Sequence, residues 1–393
     1  MKLGKLCILF TDGDWIESKD QSDSGIRLIQ TGNIGNGEFL YKNDKAKYIS
    51  VDTFKRLNCK EVFPNDILVS RLPEPVGRGC IIPDIGEKMI TAVDCTICRI
   101  NENLVDRKYF CYFLESNAYK TQLEQHVTGT TRKRISRKNL SSVEIDIPEQ
   151  AKQKEVVYKL DRLKKIIQNY NRELDLLDEL VRARFVEMFG DPVINSCQFP
   201  VQPMTDICDI IDGDRGKNYP KSEEILDDGY CLFLNAKNVT QKGFDFENCN
   251  FITREKDDAL RNGKLSRGDV VLTTRGTVGN LAYYSKNVPY ENIRINSGMV
   301  ILRMNRSILN EIYFIELFKM KLSDIKEKIA SGSAQPQLPI STMNKIILMI
   351  PPLELQNQFA SFVQEIDKSR SRIQKSLEAS QELFDSLMQE YFG

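Results

Sequence analysis

Past Pro148 the chain places apolar residues at Val156, Leu160, Leu163, Ile167, Tyr170, Leu174, Leu177, Val181 and Met188, in steps of four and three, with Arg184 as the polar exception. A second stretch repeats the pattern at Phe359, Val363, Ile366, Ile373, Leu377, Phe384, Leu387 and Tyr391, interrupted by Arg370 and Ser380. A 3.5-residue period held over several heptads predicts a coiled-coil seam rather than one face of a globular helix. Roughly 38 residues at about 1.5 Å each give helices about 57 Å long, here from about 149 to 187 and from about 352 to 390. These helices read first as structural spacers between whatever lies on either side.

The rest of the chain has another texture. Short β-rich runs such as GIRLIQ, DILVSR and TAVDCTICRI alternate with helical stretches near 50–58 and 106–126. Gly32, Gly35, Gly37, Pro73, Pro75, Gly77 and Gly79 punctuate them and predict a loop-rich α+β globule.

The two textures alternate because the chain is an internal repeat. Residues 129–190 lie on 332–393 at a constant offset of 203, with Gly129 on Gly332, Gln153 on Gln356 and Phe189-Gly190 on Phe392-Gly393. Upstream, DILVSR answers DVVLTTR, CRIN answers LRMN, and Asp12-Gly13-Asp14 answers Asp212-Gly213-Asp214. A unit of about 200 residues used twice implies two related sites. The expected division is a globule over 1–147, a helical region over 148–190, a second globule over 191–350 and a second helical region over 351–393.

Composition narrows the chemistry. The 393 residues hold 55 Lys plus Arg and 55 Asp plus Glu, so the net charge is zero and any affinity for phosphate comes from local patches or a partner. No apolar run approaches the roughly 20 residues that cross a bilayer, and the start MKLGKLCILFTDGDW turns acidic too early for a signal peptide. The chain thus reads as cytoplasmic, without a membrane role. Ten scattered cysteines suit reduced thiols. Cys95 and Cys98 form a C-x2-C without a second pair, their sister positions are Met299 and Leu302, and His126 is the single histidine; core packing is expected and a metal site is not.

Catalytic signatures are missing from the sequence. No amide-binding N/D-P-P-Y/F tetrapeptide is found, RGTVGN at 275–280 lacks the lysine of a phosphate-binding loop, and Pro83-Asp84 with Glu87-Lys88 has the wrong spacing for a nuclease. His126 has no triad partner near any motif. No catalytic residue is assigned.

Three loops could read nucleic acid. Thr128-Gly-Thr-Thr-Arg-Lys-Arg-Ile135, with Thr130, Arg132, Lys133 and Arg134, suits phosphates. Its sister Ser331-Gly-Ser-Ala-Gln-Pro-Gln-Leu338 offers Ser333, Gln335 and Gln337; glutamine favours adenine where arginine favours guanine. The turn bearing Arg71 and Arg78 is matched with Arg275 and Asn280, where glycines permit close backbone approach. After each Asp-Gly-Asp come Trp15 and Lys19, or Arg215, Lys217, Asn218 and Tyr219, aromatics among basic and amide groups.

The duplicated order of a globule closing with TGTTRKRI or SGSAQPQL, a strand into IPEQAKQKEV or IPPLELQNQF, and a heptad helix ending in MFGDP or YFG resembles the specificity subunit of type I restriction-modification enzymes. DGDWIESKDQ with GIRLIQTGNIGNG resembles the start of that family's first target-recognition domain. The resemblance implies two similar target-recognition domains joined by two long antiparallel coiled-coil helices, with internal pseudo-twofold symmetry. It further implies a non-catalytic subunit whose domains each read half of a split double-stranded DNA sequence. The helices would space them and dock two methyltransferase subunits, which carry S-adenosylmethionine; ATP and Mg2+ belong to the restriction subunits. The heptad residues of both seams are then helix-packing and partner positions. A stand-alone bipartite DNA-binding regulator is the alternative, and a hydrolase with a helical stalk a third; zero net charge counts against an unaided DNA binder.

Overall fold

The computed structural model describes residues 1–129, 132–330 and 337–393, with 323–330 described by their backbone alone. Two compact units emerge, one of Met1–Arg172 with Gln374–Gly393 and one of Glu173–Ile373. Each therefore takes in one end of each long helix.

The same layered core is built twice. In the first unit a four-stranded antiparallel sheet runs Cys7–Asp12, Cys95–Ile100, Ile67–Ser70, Gly79–Ile81. In the second it runs Cys208–Asp212, Met299–Met304, Val270–Thr273, Leu281–Tyr283. Successive strand side chains face opposite ways, so Ile67, Val69 and Cys98 join the core beneath the helices while Leu68, Cys95 and Ile97 join a core against another sheet. The unbroken apolar run ILV follows from this burial of both faces. The same alternation sets Cys95 and Cys98 on opposite faces, and burial raises the Cys95 thiol to about 12. The expected core packing of both thiols is what the fold provides.

The other sheet contains a parallel pair in each unit, Ile26–Ile29 with Met89–Thr91 and Cys231–Leu234 with Ile293–Ile295. Between the sheet and the long helices, the expected helix near 106–126 is two helices, Arg107–Glu115 and Asn117–Glu124. The Ser116 hydroxyl accepts from the Tyr119 amide and so starts the second one; the sister helix Glu311–Ala330 is continuous.

The long helices are Gln150–Phe189 and Leu353–Phe392, each of 40 residues. Along the seam Leu163, Ile167, Tyr170, Leu174 and Leu177 are half-buried, as are Ile366, Ile373, Leu377, Phe384 and Leu387, whereas Val156, Leu160, Val181, Phe359 and Val363 are buried. Only the helix ends enter a globule. In the first unit the start of one helix and the end of the other share a core, with Val156 and Leu160 beside Met388 and Phe392. In the second, Val181 and Phe185 join Phe359 and Val363. Within each unit the two helices are thus antiparallel.

Where the heptad count places Arg184, the structure also buries Phe185 and Phe189 completely. The seam widens there into a globular face, and the Arg184 guanidinium lies 5.7 Å from the Phe362 ring centroid. Phe189 meets Tyr313 at 4.8 Å and Phe392 meets Tyr109 at 4.9 Å, one contact made in both units. Among the described residues no helix is long and apolar enough to cross a membrane.

Candidate nucleic-acid interface

Each unit brings three segments to one end of its four-stranded sheet, the third described from Arg132 in the first unit and from Gln337 in the second. The first follows Asp-Gly-Asp. A Cβ on Gly13 would lie 2.3 Å from the Thr91 carbonyl oxygen, and one on Gly213 2.2 Å from that of Asn296, so only glycine lets the turn press against its neighbour. Asp14 accepts from the Lys60 amide at 2.6 Å. Asp214 accepts from the Gly216 and Arg261 amides, each at 2.7 Å, and these bonds hold its carboxyl below the usual aspartate range. Both acids build the turn.

The second and third loops meet through the backbone. Arg71 donates its amide to Asp94 O at 2.8 Å, and Ile135 donates to Arg71 O at 3.2 Å. In the other unit Thr274 donates to Gly298 O at 2.8 Å, and Leu338 donates to Thr274 O at 3.0 Å. The register corrects the matching of Arg71 with Arg275. Ile67 pairs with Cys98 and Val270 pairs with Leu302, which puts Arg71 in the place of Thr274. Arg275 stands one residue further on, and a one-residue step along an extended strand reverses the side chain's direction.

The consequences for the two arginines are opposite. Arg71 turns inward, with Nε 3.2 Å from Asp12 and its other nitrogens donating to Val93 O at 2.7 Å and Ile135 O at 3.2 Å. Arg275 is exposed, and its backbone pairs with that of Gln337. Two more residues expected to face a ligand are also structural. Arg78 donates to Ile34 O at 3.1 Å and Thr31 O at 3.3 Å. Asn280 is buried and donates to Val239 O at 2.8 Å. Their hydrogen bonds tie neighbouring loops of their own unit together.

Other candidates remain at the surface. Arg132 and Arg134 are exposed; Lys133 is exposed too but bonded to Glu74 at 2.7 Å, which raises its ammonium above the usual lysine range. The same basic run continues through Arg137, which reaches Asp12 at 3.8 Å, and Lys138. Trp15 is 70% exposed and donates to Glu17 at 3.3 Å, and Lys19 pairs with the same carboxylate at 2.7 Å. Arg215 spans Asp212 at 3.0 Å and Ser297 O at 3.3 Å, Lys217 is exposed, and Asn218 donates to Ala259 O at 3.0 Å. Tyr219 instead packs edge-on against Phe233 at 5.7 Å. Thr130, Ser333 and Gln335 lie outside the described residues.

Residues 1–178 and 199–381 each match the type I restriction modification DNA specificity domain. The chain belongs to this family. Its two matches coincide with the two copies of the repeat and together span most of the sequence. Among specificity-family relatives from Methanocaldococcus jannaschii, the chain is 22% identical to the type I restriction enzyme MjaIX specificity subunit, over 94% of this chain and 86% of that one. It is 20% identical to the putative type I restriction enzyme MjaX specificity subunit, over 90% and 82%.

The fold is similar to that of solved structures. A chain from a study of complex assembly and conformational transition of the type I R-M system matches with TM-score 0.59 at 14% identity, covering 100% of this chain and 96% of that one. The type I restriction-modification system S subunit from M. genitalium matches with TM-score 0.54 at 16% identity, covering 100% and 95%.

Proposed function

We propose that this chain is the DNA-recognition subunit of a type I restriction-modification complex and that each unit reads one half of a split duplex sequence. The observation that carries the reading is the loop edge built twice on one sheet order, with Arg132, Lys133 and Arg134 on the first copy and Arg275 with Gln337 on the second. One sheet order carrying unlike side chains suits two different half-sequences. Backbone phosphates supply affinity through the basic residues, and base edges supply selectivity.

In this reading the chain performs no chemistry. Two methyltransferase subunits bring S-adenosylmethionine, and restriction subunits bring ATP and Mg2+. Tyr158 and Ile166 in the first unit, and Leu176 and Leu180 in the second, are exposed apolar residues of the central helix and support methyltransferase docking. Co-expression with the methyltransferase subunit of the same host tests the reading. A stable complex with about two methyltransferase chains per copy, methylating one bipartite sequence, is expected. Nanomolar sequence-selective binding by the isolated chain at physiological salt would favour the stand-alone regulator instead.

A further inference from the structure

We infer that Arg275 and Gln337 act as one couplet that reads two neighbouring base pairs of the half-sequence recognised by the second unit. The inference rests on the DNA-recognition reading and gives it residues and chemistry. Their backbones form an isolated antiparallel bridge, so the two side chains leave adjacent points of the fold. Residues opposed in this way sit about 5 Å apart at Cα, a separation comparable to the roughly 3.4 Å rise of one base step.

Both side chains are exposed, and among the described residues neither has a hydrogen-bond or ion-pair partner. That sets them apart from their neighbours. Arg71, Arg78, Arg215 and Asn280 are all bonded within their own unit. A guanidinium and a carboxamide exposed side by side match the two bidentate base contacts of the major groove, arginine to guanine O6 and N7, glutamine to adenine N6 and N7.

The strand register explains why the first unit lacks the same couplet. Its single arginine after the strand, Arg71, falls at the inward position and binds Asp12. In the second unit Thr274 takes the inward position, its hydroxyl donating to Gly298 O at 3.0 Å, and Arg275, in the place of Leu72, is carried outward. At the place of Gln337 the first unit has Arg134. The sister edges therefore present different chemistry, and the couplet belongs to one half-sequence alone.

The test is methylation-site sequencing with the full chain in complex with its methyltransferase subunits, comparing wild type with Arg275→Lys, Arg275→Ala and Gln337→Ala. Each substitution is expected to relax one base position, the two positions being adjacent and in the same half-sequence, with discrimination there falling about ten-fold or more. Arg275→Lys keeps the charge but not the fork, so it should relax the same position as Arg275→Ala while retaining more activity. An unchanged motif in all variants, or a uniformly slower methylation of an unchanged motif, would overturn the couplet, since the latter marks a phosphate contact. A wild-type complex that methylates no bipartite sequence would overturn the DNA-recognition reading itself, and the couplet with it.

Discussion

Gln153 and Gln356, 203 positions apart in the sequence, make the same three hydrogen bonds in their respective units. Gln153 accepts from the Asp106 amide at 2.7 Å and donates to Pro148 O at 2.8 Å and Leu104 O at 3.3 Å. Gln356 accepts from the Asn310 amide at 2.8 Å and donates to Pro351 O at 2.8 Å and Ile308 O at 3.0 Å. Asp106 and Asn310 in turn cap the next helix through their own side chains. One buried amide thus fixes where each long helix leaves its globule.

Replacing Gln153 with alanine strands a buried amide and two carbonyls, a loss of about 1–3 kcal/mol. Urea unfolding should show a lower midpoint, and hydrogen exchange should rise at residues 104–109. Gln356→Ala should do the same at 308–313. Equal protection in variant and wild type would mean the amide groups are satisfied by water.

Much of this architecture was legible in the sequence because the repeat holds at a fixed offset and the heptad period fixes which helix face is covered. Less legible was the direction of side chains at the loop edge. DILVSR and DVVLTTR both end in arginine, and the letters invite the two arginines to be matched; only the pairing of Ile67 with Cys98 and of Val270 with Leu302 shows that Thr274 stands in the place of Arg71 and Arg275 one position beyond it. Asn280 and Arg78 looked like ligand groups because glycines surround them, yet the same glycines bring a carbonyl of another loop within reach. Phe185 escaped the heptad count because a helix end inside a core is covered on more than one face.

The basic triplet of the first unit yields a salt-dependence prediction. If Arg132, Lys133 and Arg134 all reach phosphates, replacing the three by alanine removes up to about three units from the slope of log affinity against log salt. Binding of the reconstituted complex at several salt concentrations measures this. Lys133 must first leave Glu74, so Glu74→Gln should strengthen binding modestly; an exposed ion pair of this kind contributes little. An unchanged slope in the triple variant would assign these residues to solvent.

Asp257 gives the second unit a pH signature. The fully buried carboxylate is bonded to Arg294 and Lys264, and Arg294 also donates to Asn262 O at 2.7 Å. Burial pushes the carboxyl up, but the bonds from Lys264 and Arg294 outweigh it and hold it below the usual aspartate value. Its stabilising contribution is therefore complete above the unfolded pKa of about 3.9 and is lost as pH falls through the folded value. Asp257→Asn leaves Arg294 buried against a neutral partner and should cost about 3–5 kcal/mol. Hydrogen exchange at 254–262 should rise in that variant at pH 7, and the difference from wild type should shrink in acid.

The last prediction concerns the central helix as a spacer. It runs unbroken from Gln150 to Phe189, and Arg172 lies where the chain passes from the first compact unit to the second. Each added residue lengthens a helix by about 1.5 Å and turns the rest of it by about 100°. Four residues inserted near Asn171 add about 6 Å and turn the remainder by about 40° beyond one full revolution, so the seam residues nearly regain their face. Two residues turn it by about 200° and set Leu174, Leu177 and Val181 on the wrong side. The four-residue variant, reconstituted with its methyltransferase, is expected to methylate the same two half-sequences across a longer gap, and the two-residue variant to lose methylation. Sequencing methylated sites reads both outcomes directly. If the four-residue variant keeps the original gap, the helix does not set the spacing; if it changes a half-sequence, the loops at the sheet ends are not the readers.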